Sequence, residues 1–180
     1  MASGQVPHDL GSSAVASTVI FPRSAEARRR EERRAAPDRL APVTEAVPAT
    51  VLVYSHRSDV RDAVRTAVGR RPATDVGPLT YLECSTGGEV IEIVDRGGID
   101  LCILDGEAQP MGGLAVSRQV KEEIADPPAL CVIIARQADR WLAHWSYADA
   151  TLEFPVDPLI APSVVADVLR ERAARPPAWR

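Results

Sequence analysis

The sequence predicts an α/β domain built on a five-stranded parallel sheet, and three observations predict it. From Ala49 onward, five short apolar runs alternate with stretches of helical period. The runs are continuously apolar, which is how strands covered on both faces read. Helical stretches separate them, so each return to the sheet is a right-handed crossover. With 46% apolar residues but only 4% aromatic ones, the core must be aliphatic, made of Val, Ile, Leu and Ala.

The first run is Thr50 to Tyr54. Ser58 follows as a candidate N-cap for a helix with Val60, Ala63, Val64, Ala67 and Val68 on one face. Next come the run Thr80 to Cys84, a helix from about Gly88 to Asp95 and the strand Ile99 to Leu104. A third helix near Gly113 to Ala125 buries Leu114, Val116, Val120 and Ile124 and exposes Arg118, Lys121, Glu122 and Glu123. The fourth strand, Leu130 to Ala135, precedes a helix from about Asp139 to Tyr147. A short strand, Thr151 to Phe154, and a helix from about Pro158 to Ala174 complete the pattern. Gly87 and Gly88 fit no phosphate-binding loop or dinucleotide fingerprint and read as a turn.

At 180 residues the chain has room for one domain plus an appendage, since domains run to about 100 to 200 residues. Residues 1–47 form an arm of Ser, Ala, Pro and charge without a core period; residues 48–175 hold the domain and 176–180 a tail. Within the arm, Val15, Val19, Ile20 and Phe21 make a short apolar strip. Arg28, Arg29, Arg30, Arg33 and Arg34 lie on a polar helical stretch between Ser24 and Pro37. Either the arm is a solvated tail, or it orders on a partner by burying the strip and pairing the arginines with carboxylates.

The net charge of -4 argues against binding held by phosphate neutralisation, so no nucleic acid is expected. The longest apolar run, Ala129 to Ala135, is far short of the roughly 20 residues that cross a bilayer. No direct membrane insertion is expected, and Cys84, Cys102 and Cys131, odd in number and set among apolar neighbours, suit reduced buried thiols in the cytoplasm. They show no metal-ligand spacing, and His8, His56 and His144 have no evident acid partner, so neither a metal nor a hydrolytic triad is expected. Trp141, His144 and Trp145 lie three and four apart and share one helix face. They either seal the core under the fifth strand or form an exposed patch of the composition that dominates protein interfaces.

In parallel α/β sheets the residues just after each strand decide the chemistry. There, DLCILDGEAQPMGG from Asp100 to Gly113, VLVYSHRSDVR from Val51 to Arg61 and ADATLEFPVDP from Ala148 to Pro158 resemble the receiver domain of bacterial response regulators, over about Thr50 to Ala174. The resemblance implies a flavodoxin-like (βα)5 fold, with Asp105 at the phosphoacceptor position. It also exposes departures. Receivers place an acidic pair after the first strand, where this chain has Ser55 and His56. They place a hydroxyl after the fourth strand, where it has Ile134 and Ala135, and a lysine before a proline after the fifth, where it has Phe154.

Phosphoryl transfer to a carboxylate needs a divalent cation and a cationic side chain, so the expectation is a degenerate pseudo-receiver, not an enzyme, without metal or cofactor. Asp105 is then expected to cap nearby amides or to pair with Arg57 or Arg136. With no output domain expected after the last helix, the module would act by docking to a protein. An Ala- and Arg-rich arm before a degenerate receiver is most similar to orphan response-regulator-like proteins of mycobacteria and related actinobacteria. Some of these are associated with the respiratory NADH-quinone oxidoreductase, complex I. That resemblance implies an accessory subunit on the cytoplasmic arm of a membrane complex, held at the inner face of the membrane through protein contacts. The alternatives are a phosphorylatable single-domain regulator and, further off, a flavin-binding protein of the same fold.

Overall fold

The computed structural model describes residues 46–175. The arm residues Val15, Val19, Ile20, Phe21, Arg28, Arg29, Arg30, Arg33 and Arg34 lie outside the described residues.

Five parallel strands form one sheet: β1 (Ala49–Tyr54), β2 (Leu79–Cys84), β3 (Leu101–Asp105), β4 (Ala129–Ile134) and β5 (Ala150–Glu153), in spatial order β2-β1-β3-β4-β5. The crossovers carry α1 (Ser58–Val68), α2 (Gly87–Arg96), α3 (Gly113–Glu123) and α4 (Arg140–Trp145), and α5 (Ala161–Ala174) follows β5. The flavodoxin-like parallel architecture is as the sequence predicts.

Alternation along the three central strands divides the core into two layers. Val51, Val53, Leu101, Ile103, Cys131 and Ile133 pack on one side with Val60 and Val64 of α1 and Val165 and Leu169 of α5. Leu52, Tyr54, Cys102, Leu104, Leu130 and Val132 pack on the other with Val90 and Val94 of α2 and Val116 and Val120 of α3. Both layers exclude water because the three central strands are apolar along almost their whole length, Thr50 at the start of β1 and Asp105 at the end of β3 being the exceptions. Cys84, Cys102 and Cys131 are free and buried. Desolvation pushes the Cys84 thiol up to about 11 and the Cys131 thiol up to about 12, and raises Cys102 as well. Among the described residues no helix is long and apolar enough to cross a membrane.

Several local expectations are corrected. Ser58 is the first residue of α1 rather than its cap; Arg57 stands at the cap position, and its amide donates to Ser55 Oγ at 3.1 Å. Gly87 and Gly88 open α2 instead of forming a turn. Thr86 caps that helix, and a reciprocal bond from its backbone to Glu89 completes a capping box that satisfies two otherwise orphaned amides. Lys121 is not a solvated helix residue, because it reaches Asp149 at 2.8 Å and only 15% of its side chain is exposed. The helix expected over Asp139 to Tyr147 is a short 3-10 turn, Gln137–Asp139, followed by α4. The last helix begins at Ala161, with Pro158 in the turn before it.

Candidate functional site

The strand order reverses between β1 and β3, so the chain leaves these two strands in opposite directions and opens a crevice at their carboxyl ends. Asp105, the last residue of β3, sits there only 5% exposed. Gly113, the first residue of α3, stacks against it: a Cβ at that position would lie 2.6 Å from the Asp105 carbonyl oxygen, so only glycine lets the helix start so close to the strand end. Gly106 is needed for the same reason, since a Cβ there would lie 2.6 Å from the Ile133 carbonyl oxygen.

The carboxylate faces groups that satisfy it. Ser55 Oγ donates to Oδ2 at 2.7 Å, and the Glu107 amide donates to Oδ1 at 2.9 Å. Ser55 is itself fully buried. Its neighbours tie down the same loop: Tyr54 donates its hydroxyl to the Met111 carbonyl at 2.5 Å, and His56 Nδ1 accepts from the Gln109 amide at 3.1 Å. Tyr54, the last residue of β1, and Ser55 and His56 just after it thus stitch the end of β3 and the β3–α3 loop. Burial holds the Tyr54 phenol above its ordinary range, with the Asp105 charge adding to the effect. Of the bonds expected for Asp105, the amide contact is present, while Arg57 bonds Asp59 at 2.7 Å. The hydrogen bond to Asp59, then its charge, hold the Arg57 guanidinium above its usual range, with Asp105 contributing less. The guanidinium also lies 5.7 Å from the centre of the Phe154 ring.

The receiver fold implies magnesium at this point, and the donor set does not suit it. Magnesium takes oxygen ligands in near-octahedral geometry at about 2.0–2.1 Å. Here Asp105 is one carboxylate, the adjacent Ser55 hydroxyl spends its proton on it, and His56 offers nitrogen. Ile134, buried at the end of β4, and Ala135 after it carry no hydroxyl, and Phe154 after β5 carries no charge.

A second region has the opposite character. On α4, Trp141 is 66% and Trp145 51% exposed, and His144 is exposed beside them, so none of the three seals the core; Ala143 is the buried residue of that helix. Just beyond, Tyr147 adopts the left-handed conformation with φ of 59°, which costs a non-glycine residue roughly 1–2 kcal/mol. Its ring and that of Trp145 both meet Arg118 of α3, whose guanidinium carbon lies 4.4 Å from the Trp145 centroid and 5.4 Å from that of Tyr147. Buried bonds hold this corner: Ser117 Oγ donates to the Ser146 carbonyl at 3.0 Å, and Ser146 Oγ to the Ala143 carbonyl at 2.9 Å. Asp149 accepts from Lys121, from the Leu130 amide and from Arg175. Burial alone pushes the Asp149 carboxyl up, but these three donors more than offset it and hold the group below the ordinary carboxylate range. Sequence reasoning missed Arg118, Tyr147 and Asp149; the one available signal was Lys121, the only lysine of the chain.

A five-stranded parallel sheet with an aspartate closing β3 at the switch point defines a receiver domain, and the chain belongs to the response regulator receiver family. It is 46% identical over 123 residues to an uncharacterized response regulatory protein of Mycobacterium tuberculosis, found in two strains; the match spans 68% of this chain and 92% of that protein. Solved structures share the fold. A signal receiver domain of Vibrio parahaemolyticus has a TM-score of 0.59 at 19% identity, covering 71% of this chain and 94% of that one. A CheY-like receiver domain protein of Methanospirillum hungatei has a TM-score of 0.56 at 14% identity, covering 71% and 98%. No family model matches the chain.

Proposed function

We propose that this receiver domain is a non-catalytic docking module, an accessory subunit in which the phosphoryl switch does not operate. The observation that carries the reading is the Ser55–Asp105 bond: the residue standing where receivers keep an acid is a hydroxyl that donates to the phosphoacceptor-equivalent carboxylate at 2.7 Å. A carboxylate so engaged, with no second acid in contact among the described residues and no lysine across the cleft, lacks the cation that would gather a phosphoryl donor and offset the charge of an acyl phosphate. The exposed Trp141 and Trp145 supply the alternative use, since partner recognition concentrates on such residues. The resemblance to actinobacterial orphan regulators makes the cytoplasmic arm of NADH-quinone oxidoreductase (complex I) the partner of this proposal. The arm of residues 1–47 would act as a strap.

Two experiments test it. Acetyl phosphate with magnesium is expected to leave the intact mass unchanged; a stoichiometric phosphoryl gain that disappears in Asp105→Asn would establish a working phosphorylatable regulator instead. Affinity purification from native actinobacterial membranes at low detergent is expected to bring down the NADH-quinone oxidoreductase, and to lose it when residues 1–47 are deleted. A preparation without the oxidoreductase would overturn the choice of partner, and one indifferent to the deletion would overturn the strap.

A further inference from the structure

The docking reading leaves open what the aromatic corner grips, and the geometry around Arg118 narrows the choice. Arg118 Nε donates to Glu122 Oε1 at 2.8 Å, while no described residue accepts from its two terminal nitrogens. The guanidinium is instead shared between the Trp145 and Tyr147 rings, at 4.4 and 5.4 Å. A cation held against two rings keeps its charge at reduced hydration, and the free end of its planar fork is spaced for the two oxygens of a carboxylate. Glu122 on one side leaves less room for a dianion than for a single negative charge.

The backbone supplies an independent observation. Tyr147 is the only non-glycine residue among those described with a positive φ, and Ser117, Ser146 and Asp149 bond the residues around it on both sides. Strained conformations persist where the surroundings over-determine them, and here the result is a ring aimed outward, 53% exposed, over Arg118. A fold needing only a turn at this point would be served by glycine.

We infer that Arg118, clasped by Trp145 and Tyr147, is the anchor of the docking surface and receives a glutamate or aspartate side chain of the partner, flanked by apolar residues that cover the rings. The inference rests on the docking reading above and names the chemistry of its partner.

The test is a nuclear magnetic resonance titration of the labelled full chain, following the Trp145 indole and Arg118 Nε–H signals. The probes are acetyl-Leu-Glu-Leu-amide, its Gln counterpart and sodium acetate. The Glu peptide is expected to bind about tenfold more tightly than the Gln peptide, the scale of one charge-assisted bond over a neutral one. Acetate is expected to bind more weakly than the Glu peptide. Arg118→Gln should abolish the Glu preference, and Arg118→Lys, which keeps charge but not the flat fork, should lose most of it while retaining the native spectrum elsewhere. Equal binding of the two peptides, a preference that survives Arg118→Gln, or acetate binding as tightly as the Glu peptide would overturn the assignment. Partner capture by Trp141→Ala and Trp145→Ala separates the two readings. Lost capture without a Glu preference removes only the carboxylate anchor; undiminished capture removes the docking surface.

Discussion

The crevice at Asp105 and the corner at Arg118 are built from similar materials and spend them differently. In the crevice, polar side chains turn inward: Tyr54 and His56 bond the β3–α3 loop, Ser55 bonds Asp105 at the end of β3, and both carboxylate oxygens of Asp105 are engaged. At the corner the buried bonds lie beneath the surface, and the aromatic rings and a guanidinium whose terminal nitrogens meet no acceptor among the described residues are left outside. Satisfied polar groups rigidify, whereas exposed rings beside a cation cost solvation until something covers them. On the proposed reading, the place where receivers do chemistry is structural in this chain, and the surface able to gain by contact lies elsewhere.

The comparison is broken or sharpened most forcefully in the core beneath the crevice. Leu104→Ala, at a fully buried position next to Asp105, is expected to cost about 2–5 kcal/mol in urea unfolding, as buried leucine truncations do. A loss below about 1 kcal/mol would mean that the crevice floor collapses more readily than such cores usually do. Ser55→Ala comes next, at about 1–3 kcal/mol, because it strands a buried carboxylate oxygen without its donor. A neutral effect would show that Asp105 is already hydrated and that the bond matters little.

Asp149→Asn brings the comparison to the corner through pH. The folded carboxyl is depressed by its donors, so its contribution is complete above the ordinary carboxylate value near ~3.9 and is lost as pH falls through the folded value. The stability gap between wild type and Asp149→Asn should therefore be widest at neutral pH and close in acid; a gap of constant width would remove the carboxylate from the account. The smallest effect belongs to Trp141→Ala. With the ring largely in solvent, thermal and urea stability should stay within about 0.5 kcal/mol of wild type while partner capture falls. A clear loss of stability with full capture would reassign the ring to packing.

What the sequence disclosed follows the range of the interactions. β1, β3 and β4 read correctly because a strand buried on both faces is a nearly unbroken apolar run, whatever its neighbours. Asp105 was placed by the resemblance of Asp100 to Gly113 to receiver domains, in which the aspartate closes the third strand. The boundaries of the last two helices were missed where 3-10 geometry and proline intervene. The Thr86 capping box was legible in the spacing of Thr86 and Glu89, yet the glycine pair between them reads more loudly as a turn. The Arg118 stack, the Asp149 hub and the backbone at Tyr147 have no period and no motif. They depend on α3 meeting the α4–β5 turn: Arg118 and Lys121 carry the same charge one turn apart, and nothing in their spacing says that the first meets two rings and the second a part-buried carboxylate.

The three sealed sulfurs also serve as a clock. A thiol reacts as the thiolate, which burial suppresses at Cys84, Cys102 and Cys131 alike, so alkylating reagents must wait for the chain to open. Cys84 closes an edge strand, whereas Cys102 and Cys131 lie on adjacent interior strands. The order in which the three sulfurs acquire label, read by mass, distinguishes fraying of the sheet margin from its wholesale disassembly without an engineered cysteine.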